Sequence, residues 1–258
     1  MLVKNKIVLI SGASSGIGAL TAQRLAARGA VPVLTGRSKQ KLEQAAAAIT
    51  GEKAVYTMDV TDMAQVEQTV QAVAARYGRI DILLNNAGFG YFESFMEAST
   101  QSFEDMMNTN YMGMVRLTKL VLPYMLEQKG GQIVNVASMA GKLATPKSTA
   151  YSASKHAVLG FTNALRMELK GSGVKVASVN PGPIDTPFFE QADPEGTYVK
   201  NISWFIMKPE VVADAIVRVM ERHRDEVNLP KAAAAGMKLY QLMPRTADRL
   251  LGGLFNRK

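Results

Sequence analysis

The chain has no cysteine. Disulfides, thiolate nucleophiles and thiolate-held metals are therefore excluded, and nothing asks for an oxidising compartment. It has two histidines, His156 and His223, far apart in sequence, so no metal site is expected. No stretch approaches the roughly 18 apolar residues of a membrane span. The opening MLVKNKIVLISGASSGIG has too short an apolar core for a secretory signal, and glycines follow at once. These absences point to a cytoplasmic protein. Acid is in deficit: the net charge is +8. Five of those eight charges fall in residues 231–258, where Lys231, Lys238, Arg245, Arg249, Arg257 and Lys258 stand against Asp248 alone. The body is close to neutral, and no aromatic–basic surface pattern accompanies the excess, so nucleic acid is not an expected partner.

What is present is a large apolar complement. With 258 residues, 47% hydrophobic and 20% charged, the chain can bury the core of one sizeable domain. Short β-branched runs alternate with helical periodicities: KIVLI at 6–10, VPVLT at 31–35, AVYTMDV at 54–60, a strand and turn in DILLNNAGFG at 81–90, GQIVNVAS at 131–138 and KVASVN at 175–180. EVNL is read as a seventh, edge strand, residues 99–127 as one long helix in which Asn110 is either a satisfied core polar residue or the site of a kink and a water, and residues 150–170 as another. Six alternations without a break predict an α/β fold, a doubly wound parallel sheet in a single Rossmann-type domain spanning 1–258. Residues 187–207, with Phe188, Phe189, Tyr198, Trp204 and Phe205, show no period and are expected to form a substrate lid. Residues 231–258 form a basic amphipathic tail, helical from about Ala232 and interrupted at Pro244.

Three features carry chemistry. After the first strand, Gly12, Gly16 and Gly18 allow a tight turn and close backbone approach, and the next helix offers its N-terminal N–H groups to an anion. The spacing is G-x-x-x-G-x-G, weak evidence alone. An acid for a ribose 2′-hydroxyl is due about 20 residues past the glycines. That place reads Gly36-Arg37-Ser38. A guanidinium there pairs with a 2′-phosphate, so NADP(H) is expected in preference to NAD(H). The third feature is SMAGKLATPKSTAYSASK, residues 138–155. Tyr151 and Lys155 are four apart and share a helix face, and a loop brings the Ser138 hydroxyl opposite them. An ammonium about 4 Å from a phenol, at an effective dielectric near 20, favours the phenolate by roughly 4 kcal/mol before desolvation. The set is a proton-handling site at a carbonyl.

Taken together, Gly12-Ala13-Ser14-Ser15-Gly16-Ile17-Gly18, Asp59-Val60, Asn85-Asn86-Ala87-Gly88, Asn110, Ser138, Tyr151-Ser152-Ala153-Ser154-Lys155 and Pro181-Gly182 with Thr186 resemble the short-chain dehydrogenase/reductase family. The resemblance covers at least residues 6–228. Ser11 stands where the family usually has threonine, which keeps the hydroxyl. The resemblance implies an NADPH-dependent oxidoreductase that reduces a ketone or aldehyde. Tyr151 would donate the proton, Ser138 orient the substrate oxygen and Lys155 hold the nicotinamide ribose. Asn110 would bind a relay water. By the same resemblance, Gly12, Ser14, Ser15, Gly16, Ile17 and Gly18 line the phosphates, and Asp59 and Val60 frame the adenine. Asn86, Ala87 and Gly88 lie along the adenosine side, and Pro181, Gly182, Ile184 and Thr186 lie near the carboxamide. Family members pair through helices beginning near Thr100 and Ala150, so a homodimer or homotetramer is expected.

Phe89, Met139, Leu143 and the lid aromatics suggest an apolar substrate. Two alternatives are kept. One is a catalytically silent NADP-binding sensor or scaffold, disfavoured because nothing structural requires serine, tyrosine and lysine together. The other is a membrane-peripheral reductase of lipid-like carbonyls. The tail interleaves Met237, Leu239, Tyr240, Leu242, Met243, Leu250, Leu251, Leu254 and Phe255 with basic residues, a pattern shared by interfacial helices and by helices that pack on a body or a second subunit. Gly252-Gly253 weakens a helix there, and packing is preferred.

Overall fold

In the computed structural model, residues 3–193, 195–202 and 205–242 are described. Seven strands form one parallel sheet: β1 (Ile7–Ile10), β2 (Val31–Gly36), β3 (Ala54–Thr57), β4 (Ile82–Asn85), β5 (Gly131–Val136), β6 (Val174–Pro181) and β7 (Glu226–Leu229). Their order is β3-β2-β1-β4-β5-β6-β7, and every pairing is parallel. The order reverses between β1 and β4. A crevice opens there beyond the strand ends, where ligands of such sheets bind. The expected doubly wound sheet is thus the one observed.

Period-two alternation covers both faces. Val8, Ile10, Leu34, Leu84, Val134 and Val179 point to one side. There they meet α1 (Gly16–Ala26), α2 (Lys39–Ala47) and α9 (Pro209–Arg222). Ile7, Leu9, Val33, Leu83, Ile133 and Val176 point to the other. They meet α3 (Met63–Tyr77), α5 (Gly113–Glu127) and α6 (Thr149–Glu168). α1 packs along α9, and that seam carries the ion pairs Arg24–Asp214 at 3.4 Å and Arg28–Glu221 at 3.5 Å.

Several boundaries differ from the sequence-based ones, each for a local reason. β3 stops at Thr57 rather than Val60. The Asp59 carboxylate accepts from the Thr61 N–H at 2.9 Å and hydroxyl at 2.8 Å, a local bond that competes with the ladder. The helix expected at 99–127 is broken into α4 (Thr100–Met107), a π turn (Asn108–Met112) and α5. At the break the Gly113 N–H donates to the carbonyl of Asn108, five residues back. The Arg116 guanidinium braces the turn, donating to Asn108 Oδ1 at 2.8 Å and to the Val60 carbonyl at 3.3 Å. A Cβ on Gly113 would lie 2.7 Å from Val60 Cγ2. The segment read as aperiodic holds two short helices, α7 (Phe188–Ala192) and α8 (Thr197–Ile202). The tail begins with α10 (Lys231–Leu242). Trp204, and the tail from Met243 through Pro244 to Lys258, lie outside the described residues. No helix among the described residues is long and apolar enough to cross a membrane.

Candidate active site

One cavity of about 1190 Å³ fills the crevice. It is lined by Gly12, Ser14, Ser15, Gly16 and Ile17 after β1, by Arg37 after β2, and by Asp59 and Val60 after β3. Asn86, Ala87 and Gly88 follow β4, and Pro181, Gly182, Ile184 and Thr186 follow β6. Ser138, Tyr151 and Lys155 stand in the same cavity. Two residues named from sequence do not line it: Gly18 and Asn110.

The glycines act through backbone. Gly12 and Gly16 have φ of 66° and 55°, a region open to glycine at no steric cost. Gly18 is a packing position: a Cβ there would lie 2.3 Å from the Gly12 carbonyl oxygen and 2.7 Å from the Asn86 amide nitrogen. Ser15 caps α1 without a side-chain bond, and the first turn holds no acid. The leading N–H groups of an 11-residue helix therefore face the cavity with no side chain neutralising them. The Ser11 hydroxyl accepts from the N–H groups of Asn86 and Ala87 at 3.0 and 3.1 Å. The Asn86 amide donates to the carbonyls of Ser11 and Gly12 at 3.1 and 2.9 Å. The two loops are thereby stitched into one floor. This cradle of backbone N–H groups, glycine surfaces and one guanidinium fits a dinucleotide.

Arg37 stands at the mouth of the cavity beside Ser14, Ser38 and Lys41. Ser38 caps α2, accepting from the Lys41 N–H at 3.3 Å. No acid follows β2 in this corner. Sequence reasoning named Arg37 and missed Lys41, although a second cation four residues on, at a helix start, was the available signal.

Asn85 and Asn86 divide their work. The Asn85 amide donates to Asn135 Oδ1 at 2.8 Å and to Thr118 Oγ1 at 3.2 Å. Asn135 in turn donates to Thr162 Oγ1 at 2.8 Å. This fully buried chain ties β4, β5, α5 and α6 together beneath the site and makes Asn85 structural. Asn110, on the π turn, is also spent on structure. Its Oδ1 accepts from the Phe89 N–H at 2.9 Å, and its Nδ2 donates to the Phe89 carbonyl at 2.9 Å and to Ser154 Oγ at 3.0 Å. Both amide protons are committed, so the relay water expected from the resemblance has no donor left on that side chain.

At the other end Ser138 lies two residues past β5, where its hydroxyl accepts from the Ala140 N–H at 3.1 Å. Tyr151 and Lys155 sit in the first two turns of α6, one above the other. Lys155 Nζ donates to the Val136 carbonyl at 3.0 Å and lies 5.7 Å from the centre of the Tyr151 ring. Phe92 and Phe188 box that ring, with centroids 5.8 and 5.7 Å away. Gly90 leaves room for it: a Cβ there would fall 2.8 Å from Tyr151 Cδ2. All three polar groups are buried. Burial pushes the Tyr151 phenol up to about 12, opposed by a hydrogen bond with Ser138. Burial alone pushes the Lys155 ammonium down to about 8. The ammonium's effect on its neighbouring phenol is reckoned before desolvation, and desolvation is the largest effect on the phenol here.

The cavity also collects residues not named from sequence as site residues, among them Thr145 and Ser148, and Met237 and Tyr240 of α10, together with Met139 and Phe205, which were expected at an apolar pocket. Of the tail's apolar residues, Met237 is buried and Tyr240 lines the cavity, while Leu242 is 78% exposed.

Residues 6–196 match the family model described as short chain dehydrogenase. Over 224 residues the chain is 36% identical to the 3-oxoacyl-[acyl-carrier-protein] reductase FabG of Thermotoga maritima, covering 84% of this chain and 91% of that protein. It is 36% identical over 216 residues to a 3-ketodihydrosphingosine reductase of Bacteroides thetaiotaomicron, covering 84% and 75%. Among solved structures it superposes with a TM-score of 0.83 on levodione reductase, at 31% identity and covering 90% and 98%. Similarity over most of the chain in sequence and in structure carries one conclusion: the chain belongs to the short-chain dehydrogenase/reductase family, enzymes acting on CH–OH or C=O groups of small molecules with a nicotinamide dinucleotide.

Proposed function

We propose that the protein is an NADPH-dependent carbonyl reductase, with Tyr151 as proton donor and Ser138 as the hydroxyl that orients the substrate oxygen. The observation that carries this reading is the convergence of Ser138, Tyr151 and Lys155, all buried, in the cavity that the glycine loop opens into. A bound nicotinamide supplies the hydride. The residues handle the oxygen. Ser138 donates a hydrogen bond to the developing alkoxide, and the Tyr151 hydroxyl delivers its proton to it. The phenol carries its proton at neutral pH and so is available as a donor in the reducing direction, and the neighbouring Lys155 charge favours the phenolate it leaves. Lys155 holds the ribose and a cationic field beside the phenol. Asn110 fixes Phe89 against the π turn, and a water relay to Lys155 would use its backbone carbonyl or the second lone pair of Oδ1.

Gly12, Ser14, Ser15, Gly16 and Ile17 would hold the phosphates, Asp59 and Val60 the adenine, and Asn86, Ala87 and Gly88 the adenosine side. Pro181, Gly182, Ile184 and Thr186 would meet the carboxamide, and Gly18 would serve by packing. Arg37, with Lys41, selects the 2′-phosphate. Residues 187–207 act as a lid over an apolar carbonyl compound. α4 and α6, which pack on each other, form the surface for a second copy in a homo-oligomer.

The test is Tyr151→Phe. Reduction of ketones with NADPH should fall by at least about 100-fold, while NADPH still binds, read by its fluorescence. Turnover within tenfold of the unsubstituted protein rejects the assignment.

A further inference from the structure

The cavity continues past Ser138 and Tyr151 to the last described helix. α10 turns Ala233, Gly236, Met237 and Tyr240 toward it. At 3.6 residues per turn these four fall within an arc of about 100°, so a single helix face is presented. Met237 is 5% exposed. Ile202 and Phe205 also line the cavity, adding apolar surface to it. The whole volume, about 1190 Å³, exceeds the roughly 300–1,000 Å³ usual for one small-molecule site. There is room for a dinucleotide and a sizeable second ligand.

Gly236 is the telling position. Glycine is a poor helix former, and Gly236 lies inside a 12-residue helix. Its φ does not lie in the left-handed region, and a Cβ built on it meets nothing within 4 Å. Neither backbone conformation nor close packing calls for glycine there. A side chain would enter open space at a position that lines the cavity. The match to the family model ends at residue 196, so this wall lies beyond the matched segment.

We propose that the 233/236/237/240 face of α10 is the size-determining wall of the substrate site. The site takes a carbonyl compound whose apolar chain runs from Ser138 and Tyr151 to Gly236, which leaves space for its far end. The proposal rests on the carbonyl-reductase reading and names its substrate class.

A series of 2-alkanones from 2-butanone to 2-dodecanone tests it. With the unsubstituted protein and NADPH, kcat/KM should rise with chain length, by up to about fourfold per methylene. Gly236→Ala and Gly236→Phe should fold, with melting temperatures not lowered. Gly236→Phe should cut kcat/KM for the longest ketones at least tenfold, mainly through KM, and leave short ketones and the KM for NADPH unchanged. Calorimetric titration with 2-dodecanol reads the same wall without turnover and should weaken in parallel. Equal effects on short and long ketones, no effect on either, or no chain-length dependence in rate or binding overturns the proposal. If no ketone is reduced but Gly236→Phe still weakens 2-dodecanol binding, the reductase reading fails and the wall stands.

Discussion

Arg37 shows how much one side chain can say. An acid is due after β2 in a chain that holds a free 2′-hydroxyl, and a guanidinium stands there instead. The structure adds Lys41 and Ser14 around the same corner. If these cations select the 2′-phosphate, Arg37→Ala should lower the NADPH-over-NADH ratio of kcat/KM by about 10- to 100-fold, the loss of one charge-assisted contact of roughly 1.5–3 kcal/mol. An unchanged ratio would remove the cofactor argument. Tyr151 and Lys155 were legible as neighbours because helical spacing is geometric. Their proton affinities were not legible, because burial decides them and burial is a property of the whole fold. Asn110 illustrates the same limit. An asparagine among methionines signals a polar role, but which partners satisfy it depends on where Phe89 and Ser154 arrive.

At the scale of elements, the strands and most helices follow from apolar period alone. Asn110 signals a kink or a satisfied polar residue in the long helix, but the form of the break as a π turn is not legible in the sequence. What sets it apart is tertiary: Gly113 against Val60 and Arg116 reaching both Asn108 and the Val60 carbonyl. This contact couples the helix break to a wall of the cavity. Gly113→Ala forces a methyl to 2.7 Å from Val60 Cγ2. It should cost about 1–3 kcal/mol in denaturant unfolding and raise the KM for the dinucleotide, because Val60 must move. Unchanged stability and unchanged KM would show that the turn and the cavity wall are independent. The short helices α7 and α8 escaped the sequence for a simpler reason, being too brief to display a period.

At the scale of the molecule, the sheet order was within reach of the strand and helix alternation. The joining of the tail to the site was not, because no local signal says which body face an amphipathic helix will cover. The stability of the whole fold should carry the mark of its buried lysine. Lys155 titrates near 8 in the fold against 10.5 when unfolded, so the unfolded chain binds more protons between those values. Stability should therefore rise as pH increases from about 8 to 10.5, by up to about 3 kcal/mol, and the full penalty applies below pH 8. Tyr151 acts with the opposite sign, from about 10 to 12. Unfolding of Lys155→Met by urea across pH 7–10 should lose the rise. A rise that persists in that variant would place its origin elsewhere.

The path of the chain through the cavity has a genetic consequence. Every residue assigned to the dinucleotide is encoded before Pro187, and the apolar far wall is encoded after it. A single crossover near that codon would exchange the proposed far wall and keep the residues assigned to the dinucleotide. Such a hybrid inherits obligations at its seams, the pairing of β7 on β6 and the seating of α9 among them. Its new α9 must still seat on the old α1, with partners for Arg24 and Arg28 where Asp214 and Glu221 now stand.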